Sequence, residues 1–277
     1  LLIDGELHDF FAEPGPNAPG SIFKVKVKHQ IKGSGGIFVE SPDGDFFLHK
    51  TKGITAGDVI LVQVSSYGDR EKLPRVTTKL LFKSRYVIVT PFNEGLNIAK
   101  NIQDNERRIQ LKQLVVEGLN HIPYGMIMRS SCASANKSEI ISDCKNTIMT
   151  AQNVLSAEDK QMGLIHRAPS PHQLAWREWI DIPALDKTSG TFAYHGVLEF
   201  IDELKHSKVT LNNGNYYIEP TKAFVAIDVN TAGDISFAAG LKANLAMAKD
   251  LPRQLRLRGL GGQIVVDPAP MLRQDRK

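Results

Sequence analysis

The sequence lacks the long apolar runs of a membrane protein and the cysteine pattern of a disulfide-rich or zinc-binding protein. No apolar run approaches the roughly 18 residues that a membrane span requires, and the N-terminus, LLIDGELHDFF, does not have the charged-then-apolar layout of a signal peptide. The only cysteines are Cys132 and Cys144, and they form no CxxC pair. We therefore expect a cytoplasmic protein with buried or incidental thiols, and neither a disulfide framework nor a structural zinc site.

Length and composition are typical of a globular protein. The chain has 277 residues, of which 42% are hydrophobic, so it has room for two or three small domains with true cores. The net charge of +4 is a mild basic excess, which permits a nucleic-acid partner without requiring one.

The stretch from Phe224 to Met271 has the pattern of a strand, a helix and a second strand. Two short apolar runs, FVAI and QIVV, each end at an aspartate, Asp228 and Asp267. Between them, an Ala/Leu/Lys-rich segment from about Phe237 to Arg258 is followed by three glycines, which predicts a crossover helix with a glycine stop. Because a right-handed crossover leaves its two strands parallel, both aspartates should reach the same carboxyl edge of a sheet.

Two carboxylates at one sheet edge repel each other, and a divalent cation is the usual relief. Mg²⁺ accepts one or two protein carboxylates and fills its other positions with water and phosphate oxygens. If the strand continues, Asn230 falls on the same side as Asp228 and adds a neutral amide. Nearby cations are expected from Arg253, Arg256 and Arg258. The alternative is that Asp228 and Asp267 merely cap loops.

Alternating runs between Ser21 and about Leu81 predict a small β-barrel. The runs IFKVKVKH, GIFVES, DFFLHK, DVILVQVSS and RVTTKLLF are separated by glycine and aspartate turns. Five strands in about sixty residues favour an OB-type barrel. Since neighbouring strand residues face opposite sides, either Phe46 or Phe47 must point outwards. The cluster Gly33, Gly35 and Gly36 is better explained as a hairpin turn than as a phosphate loop.

A small α/β unit is predicted from Arg85 onwards. RYVIVTPF and YGMIMRSS have the texture of strands. IQDNERRIQLKQLVVEGL and SEIISDCKNTIMTAQNVL have helical spacing. Further on, Asn213-Gly214 between VTL and YYIE indicates a tight hairpin.

Several of these motifs resemble the ribonuclease E/G family. The runs DVNTAGD and RQLRLRGLGGQIVVD, with Asn244-Leu245, are similar to the catalytic subdomain of that family. GSIFKVKV, GIFVE and FFLHK resemble its OB-fold module, which the family inserts near the N-terminus. In the family, two aspartates hold a Mg²⁺ beside an asparagine, and the matching catalytic residues here are Asp228, Asp267 and Asn230.

The same resemblance implies contacts with RNA in the barrel. Phe38 and Phe47 match the family's stacking positions. Next to Phe47 in the sequence, His49 and Lys50 are side chains that could reach a phosphate. The run KLPRVTT is similar to a segment that lines the RNA path, which implicates Lys72 and Arg75. The alternatives are a phenylalanine in the barrel core and a solvated basic loop.

The α/β unit resembles the family's sensor for the 5′-terminal phosphate of RNA. Arg129 and Ser130 match the arginine and hydroxyl residue that bind the phosphate, with serine where threonine is usual. Arginine offers a planar fork for phosphate and a hydroxyl adds one donor. The alternative is that Arg129 pairs with Glu139.

The resemblance implies a mixed α/β, multidomain fold, in which an OB-fold barrel is inserted into an α/β catalytic region that is ribonuclease-H-like and deoxyribonuclease-I-like. The expected parts are an abbreviated ribonuclease-H-like scaffold at 1–20 and 151–215, an OB-fold domain at 21–84, a sensor-like domain at 85–150, and a catalytic subdomain, possibly truncated, at 216–277. His166 and Arg167 are expected to be scaffold residues.

The sequence also departs from the family pattern. Pro268-Ala269-Pro270-Met271 follows the second aspartate where the family has another acid, Ala246 replaces a glutamate, and Pro252 interrupts the helix. The chain ends at Lys277, before the cysteine pair that links subunits through zinc in the family, so a zinc-linked oligomer is not supported.

Two functions are compatible with these residues. The first is a Mg²⁺-dependent endoribonuclease that cuts single-stranded RNA in rRNA processing or mRNA decay and leaves 5′-phosphate and 3′-hydroxyl ends. The second is a non-catalytic RNA-binding protein derived from such nucleases. Both take single-stranded RNA as partner, and a ribonucleoprotein or a homo-oligomer is a possible setting.

Overall fold

The chain folds into two compact units of mixed α/β structure. The computed structural model describes residues 1–30, 35–49, 51–68, 72–156, 161–179 and 184–276. One unit joins Leu1–Phe10 to Pro183–Lys277, and the other is Phe11–Ile182. Within the described residues, no helix combines the length and apolar character needed to cross a bilayer.

A closed barrel opens the second of these units. The chain begins with a short hairpin of β1 (Leu2–Ile3) and β2 (Glu6–Leu7), which belongs to the other unit. The strands of the barrel are β3 (Ile22–Gln30), β4 (Gly36–Ser41), β5 (Gly44–His49), β6 (Val59–Ser66) and β7 (Arg75–Thr77). They close in the order β3-β4-β5-β7-β6 and back to β3, with only β5 and β7 parallel. The predicted five-stranded barrel is confirmed, and it is consistent with an OB-like fold.

Strand alternation decides which barrel phenylalanines are buried. Phe23 and Phe46 lie in the core with their ring centroids 4.8 Å apart, and both are fully buried. Phe47 therefore faces outwards, as does Phe38 directly opposite it on β4. Gln30 ends β3, and Gly33 and Lys50 lie outside the described residues.

A four-stranded sheet covered by two helices follows the barrel. Its elements are β8 (Phe82–Lys83), β9 (Val87–Thr90), β10 (Leu96–Ile98), α1 (Asn105–Gly118), β11 (Gly125–Met128) and α2 (Lys137–Leu155). The strand order is β10-β11-β9-β8. Cys132 and Cys144 are unpaired and buried in this core, and burial raises the pKa of each thiol to about 12. The predicted small α/β unit is confirmed, with two more short strands than its pattern indicates.

The described part of this unit ends with a strand and a helix. β12 (Gly163–His166) pairs with β3, and α3 (Pro171–Glu178) begins at a capping box between Ser170 and Gln173. Because His166 is part of the sheet and partly buried, desolvation lowers the pKa of its imidazole.

The unit that contains Asp228 and Asp267 is a four-stranded sheet with a long helix on one face. Its elements are α4 (Thr191–Tyr194), α5 (Val197–Glu203), β13 (Lys208–Leu211), β14 (Gly214–Pro220), β15 (Val225–Thr231), α6 (Phe237–Leu257) and β16 (Ile264–Asp267). The strands lie in the order β13-β14-β15-β16, and β15 and β16 are parallel. The predicted strand, helix and strand are confirmed. A tight hairpin between β13 and β14 is also confirmed, but its two turn residues are Asn212 and Asn213, and Gly214 begins β14. The ribonuclease-H-like scaffold and the division into four domains stay predictions.

A buried polar network joins the sheet to α6. The hydroxyl of Tyr216 donates to Asp250 at 2.7 Å, and Arg253 donates to the other oxygen of Asp250 at 2.8 Å. Burial raises the pKa of Tyr216, and its hydrogen bond to Asp250 acts in the same direction, so the phenol stays protonated as the donor. The network fixes α6 against the apolar face of the sheet, where Ile227 and Val229 are also buried.

We expect Tyr216→Phe to lower the free energy of unfolding by about 1 to 2 kcal/mol, because it removes a hydrogen bond to a charged, largely buried acceptor. Urea denaturation measures this change. Tyr217→Phe is the matched control, since Tyr217 is partly exposed on the opposite face and is expected to change stability by less than about 0.5 kcal/mol. Equal effects of the two variants would contradict the network's role.

Candidate functional site

Strand pairing brings Asp228 and Asp267 side by side. Their Cα atoms are register partners in the parallel pair β15–β16, so the two carboxylates leave the sheet on the same face and in the same row. Both residues are exposed. The prediction that the two aspartates meet at one carboxyl edge is confirmed.

Asn230 lies on the same face, two residues beyond Asp228. Val225, Ile227 and Val229 alternate with these positions and are buried against α6, which forces Asp228 and Asn230 to the open face. The side-chain amide of Asn230 donates to Oδ2 of Asp228 at 2.8 Å. This bond fixes the orientation of the carboxylate. It uses Oδ2 alone, so Asn230 does not occupy Oδ1 of Asp228.

The donor set of this edge fits a hard divalent cation that also contacts a phosphate. Within the described residues, no group of three or more His, Cys, Asp or Glu side chains gathers around a common point. Two exposed carboxylates are instead what Mg²⁺ uses when water and substrate phosphate supply the rest of its shell. Asp228 and Asp267 are therefore the residues that would hold the ion.

Helix α6 holds the segment that follows Asp267. Asn244 is buried, donates to the carbonyl of Ala269 at 2.9 Å and accepts from the backbone N–H of Ala269 at 2.9 Å. Four residues earlier on the helix, Gly240 touches the next residue of that segment, because an added Cβ would lie 1.9 Å from the carbonyl oxygen of Pro270. These contacts hold the backbone two and three residues after Asp267, and they therefore fix the position of Asp267. The motif Asn244-Leu245 pointed to this asparagine, but not to its role as a clamp.

The arginines of α6 are used elsewhere. Arg253 donates to the carbonyl of Leu7, Arg256 to that of His8, and Arg258 to those of Leu204 and His206. Arg253 and Arg256 lie in the C-terminal part of α6, and Arg258 is its C-cap residue. This end of the helix leads to the start of β16, whereas Asp267 is at the end of that strand. Each guanidinium is bound to at least one backbone carbonyl, and the expectation that the three arginines supply cations beside the two aspartates stays a prediction.

The open face of the sheet carries more than the acidic pair. Across the strands, Lys208 is opposite Tyr217, Tyr217 is opposite Asp228, and Asp228 is opposite Asp267. One row therefore contains a cation, a phenol and two carboxylates. Beside it is a shallow pocket of about 270 Å³, lined by Tyr217, Glu219, Ala226 and Asp228. Sequence reasoning did not find Tyr217 or Glu219, because their placement depends on the register of β14.

The barrel carries a row of rings on its outer surface. His29, Phe38, Phe47 and Arg75 are register partners across β3, β4, β5 and β7. The ring centroids of His29 and Phe38 are 5.5 Å apart, and those of Phe38 and Phe47 are 6.2 Å apart. Both phenylalanines are partly exposed, and Arg75 is exposed. This aromatic row presents ring faces and one cation to solvent.

The predicted basic residues and the barrel glycine surround this row. Lys72 is exposed just before β7, and His49 lies 5.3 Å from Phe47 by ring centroids. The ring of Phe47 lies over Gly36, where an added Cβ would be 2.3 Å from Cε2 of Phe47. A glycine at position 36 is therefore needed for the Phe47 ring to lie where it does. Gly36 thus has a packing role in addition to beginning β4.

Arg129 is bound within the second unit in the structure. Its guanidinium donates to the carbonyls of Ser84 and Arg177, and it donates to Glu178 at 2.7 Å. Glu139, the alternative partner, instead accepts from the hydroxyl of Tyr86 at 3.0 Å. The structure therefore gives Arg129 an acidic partner, but at the end of α3 and not on α2.

The contact with Arg129 favours the ionised form of the Glu178 carboxyl. Partial burial opposes ionisation, but the hydrogen bond and charge of Arg129, together with Arg177, outweigh it and lower the pKa of the Glu178 carboxyl. Ser130 is exposed next to Arg129, at the start of a short 3₁₀ turn. An anion that approached Arg129 would compete with Glu178.

The fold and these sites define a protein with an OB-like barrel, a small α/β sheet and an acidic edge on a second sheet. The model of the Ribonuclease E/G family matches residues 82–182 and 180–277, which is more than half of the chain. The chain belongs to the ribonuclease E/G family.

Relatives named Ribonuclease G and Ribonuclease E agree with this assignment. Ribonuclease G of Haemophilus influenzae is 26% identical, over 90% of this chain and 63% of that protein. Ribonuclease G of Escherichia coli K12 is 24% identical, over 93% of this chain and 65% of that protein. Ribonuclease E of Synechocystis is 26% identical, over 75% of this chain and 37% of that protein. The chain thus spans between about one third and two thirds of the length of these relatives.

We expect Gly240→Ala to lower the free energy of unfolding by about 1 to 3 kcal/mol, because the added methyl group collides with the backbone that follows Asp267. Denaturant unfolding measures the loss. Gly261→Ala is the matched control, since a Cβ there meets no atom within 4 Å, and it is expected to be neutral or slightly stabilising. If Gly240→Ala were as stable as the control, α6 would not clamp this segment.

Proposed function

We propose that this chain is a Mg²⁺-dependent endoribonuclease that cuts single-stranded RNA during the processing or decay of ribosomal or messenger RNA. The observation that supports this most strongly is the pairing of Asp228 with Asp267 on the open face of the sheet, with Asn230 bonded to Asp228. Membership of the ribonuclease E/G family and the names of its relatives, Ribonuclease E and Ribonuclease G, support the same reaction.

Each residue of the acidic edge has a distinct role in this proposal. Asp228 and Asp267 hold the ion, and Asn230 orients the carboxylate of Asp228. Mg²⁺ supplies, when bound, charge neutralisation at the scissile phosphate and a lowered pKa for the attacking water. Attack by water at phosphorus with departure of the ribose 3′ oxygen leaves a 5′-phosphate and a 3′-hydroxyl end.

The aromatic row of the barrel suits single-stranded RNA. Bases stack on exposed rings irrespective of sequence, and nearby cations follow the backbone. Phe38 and Phe47 provide the ring faces, and Arg75 and Lys72 provide the positive charge. His29 adds a third ring that is in line with the other two.

Arg129 and Ser130 are proposed to bind the 5′-terminal phosphate of the RNA. A phosphate accepts hydrogen bonds from a guanidinium in the same way as the carboxylate of Glu178, which Arg129 contacts at 2.7 Å. Binding therefore requires the phosphate to displace Glu178. Ser130 is exposed beside the arginine and would add one donor.

A non-catalytic RNA-binding protein is the second candidate. One observation favours it: no third acidic side chain joins the pair among the described residues. Pro268-Ala269-Pro270-Met271 follows Asp267 where the family has a further acid. The cleavage experiment below separates the two candidates. A cytoplasmic location and assembly into a homo-oligomer or a ribonucleoprotein stay predictions.

We expect the wild type to cleave a 5′-monophosphorylated, A/U-rich single-stranded RNA in Mg²⁺, and Asp228→Asn or Asp267→Asn to reduce the rate by at least about 100-fold. The reason is that each change removes one of the two anionic ligands of the ion. Gel analysis of end-labelled RNA measures the rates and end groups, with EDTA as the metal-free sample.

Asp202→Asn is the matched control, because Asp202 is an exposed aspartate of the same unit whose partner is Lys205. It should cleave like the wild type. RNA that is bound but left intact by the wild type would favour the non-catalytic candidate.

We expect Phe38→Ala and Phe47→Ala each to weaken RNA binding by about 5- to 100-fold, because each removes a stacking surface worth roughly 1 to 3 kcal/mol per base. Fluorescence anisotropy with a labelled single strand measures the affinity. Phe92→Ala, which removes an exposed phenylalanine of the same unit outside the barrel, should leave the affinity unchanged. Unchanged binding by both barrel variants would show that the row does not contact RNA.

We expect Glu178→Gln to increase the preference for 5′-monophosphorylated over 5′-hydroxyl RNA by about two- to fivefold, because it removes the charge that competes for Arg129. The ratio of affinities for the two RNAs measures this effect. Glu139→Gln is the control, since Glu139 bonds to Tyr86. An unchanged ratio in Glu178→Gln would assign Arg129 to a purely structural contact.

A further inference from the structure

Three of the residues that line the pocket beside Asp228, namely Tyr217, Glu219 and Ala226, take no part in the proposed cleavage chemistry. Its walls come from β14 and β15, where Tyr217 is opposite Asp228 and Glu219 is opposite Ala226. Two residues along a strand span about 7 Å, so Glu219 and Ala226 lie roughly that far from the row that contains Asp228. This distance is that of a nucleobase from the phosphate of its own nucleotide.

The polar groups of this pocket are available to a ligand. Tyr216, the neighbour of Tyr217, uses its hydroxyl to bind Asp250 in the core, whereas Tyr217 faces the open side and is only partly buried. In the described part of the chain, neither the hydroxyl of Tyr217 nor the carboxylate of Glu219 has a hydrogen-bond or ion-pair partner. Tyr217 therefore offers a ring face and Glu219 offers an anionic acceptor.

The shape of the pocket suits a flat ring. Ala226 contributes only a methyl group opposite Glu219, which leaves space over the sheet between Glu219 and Tyr217. An aromatic side chain next to such a space is a stacking surface for a base. On a surface that binds RNA, the carboxylate would repel a phosphate, so its natural partner is a base edge that carries N–H donors.

We propose that Tyr217, Glu219 and Ala226 form a subsite for a nucleobase adjacent to the scissile phosphate, and that this subsite prefers guanine. The inference rests on the proposed function, because it takes the acidic edge as the place of cleavage. Guanine alone among the four bases presents two neighbouring donors, N1–H and N2–H₂, on its Watson–Crick edge. These match the two oxygens of Glu219, while the ring stacks on Tyr217.

The other bases fit the carboxylate less well. Adenine and cytosine each present one amino donor beside a ring acceptor, and uracil presents one N–H between two carbonyl oxygens. A ring acceptor or a carbonyl oxygen facing Glu219 is repelled, whereas both donors of guanine are attracted. Glu219 therefore discriminates between the bases through its hydrogen bonds, and Tyr217 provides affinity for any base through stacking.

The test uses the full chain and a set of A/U-rich RNAs, each with one guanine at a different position near a mapped cleavage site. We expect guanine at one fixed position to raise the specificity constant by about tenfold over uracil. Glu219→Gln should reduce this ratio to nearly one, because the amide has an NH₂ donor in place of one acceptor oxygen and this donor would face an N–H donor of guanine. Tyr217→Ala should lower the specificity constant for all substrates, and Tyr217→Phe should restore it.

Tyr194→Ala is the matched control, since Tyr194 is a highly exposed tyrosine of the same unit outside the pocket. It should keep both the rate and the guanine preference. A wild type that cleaves without any base preference near the cleavage site, or a preference that survives Glu219→Gln, would overturn the subsite while leaving the proposed endoribonuclease intact.

Binding gives a second readout that does not require cleavage. In EDTA, short guanine-containing strands should bind the wild type more tightly than their uracil counterparts, and the difference should disappear in Glu219→Gln. If the RNA is not cut but this difference is present, the endoribonuclease proposal fails and the subsite stands as a binding site. Equal affinities of wild type and Glu219→Gln for both strands would overturn the subsite.

Discussion

The candidate site depends on one piece of backbone geometry, the parallel pairing of β15 and β16 with Asp228 opposite Asp267. Because side chains alternate along a strand, a shift of this pairing by one residue would turn Asp267 away from the open face. Two carboxylates in adjacent strands repel each other, so this arrangement costs free energy that the rest of the unit must offset. A bound cation turns the same repulsion into a binding site.

The free energy that offsets this repulsion comes from burial of the opposite face of the sheet and from the contacts of α6. Ile227 and Val229 are buried between the polar positions of β15, so burial of the apolar face fixes the direction of Asp228. Asn244 and Gly240 fix the other strand, since both contact the segment that follows Asp267. The helix thus has two tasks: it connects the strands in parallel, and it holds the end of β16 at the position where its aspartate meets the first.

Local sequence patterns predict the parts of this structure that local physics determines. The two apolar runs that end in aspartate, separated by a helical segment, predict the parallel strands and the position of both carboxylates. Alternation in DFFLHK predicts that one phenylalanine is buried and the other exposed, and the structure identifies Phe46 as the buried one. The small strands β8 and β10 have two and three residues, which is too short for a periodic pattern.

Contacts between distant residues are the part that the sequence alone does not specify. Arg129 and Glu178 are 49 residues apart, so nothing near either residue predicts their pairing. The arginines at the C-terminal end of α6 likewise bind carbonyls of residues that are far away in the sequence. The family resemblance indicates that these arginines are present, but not which groups they contact. Tyr217 enters the site because β14 pairs with β15 in one particular register. Such placements follow from tertiary packing, which local propensity does not encode.

Paramagnetic broadening of NMR signals by Mn²⁺ tests directly whether Asp228 and Asp267 form one cation site. In the ¹⁵N-labelled protein, the amide signals of Asp228, Asn230 and Asp267 should broaden first, and the effect should disappear in Asp228→Asn and also in Asp267→Asn. If the signals around Asp267 still broadened in Asp228→Asn, or if broadening began elsewhere in the chain, the two carboxylates would not share an ion.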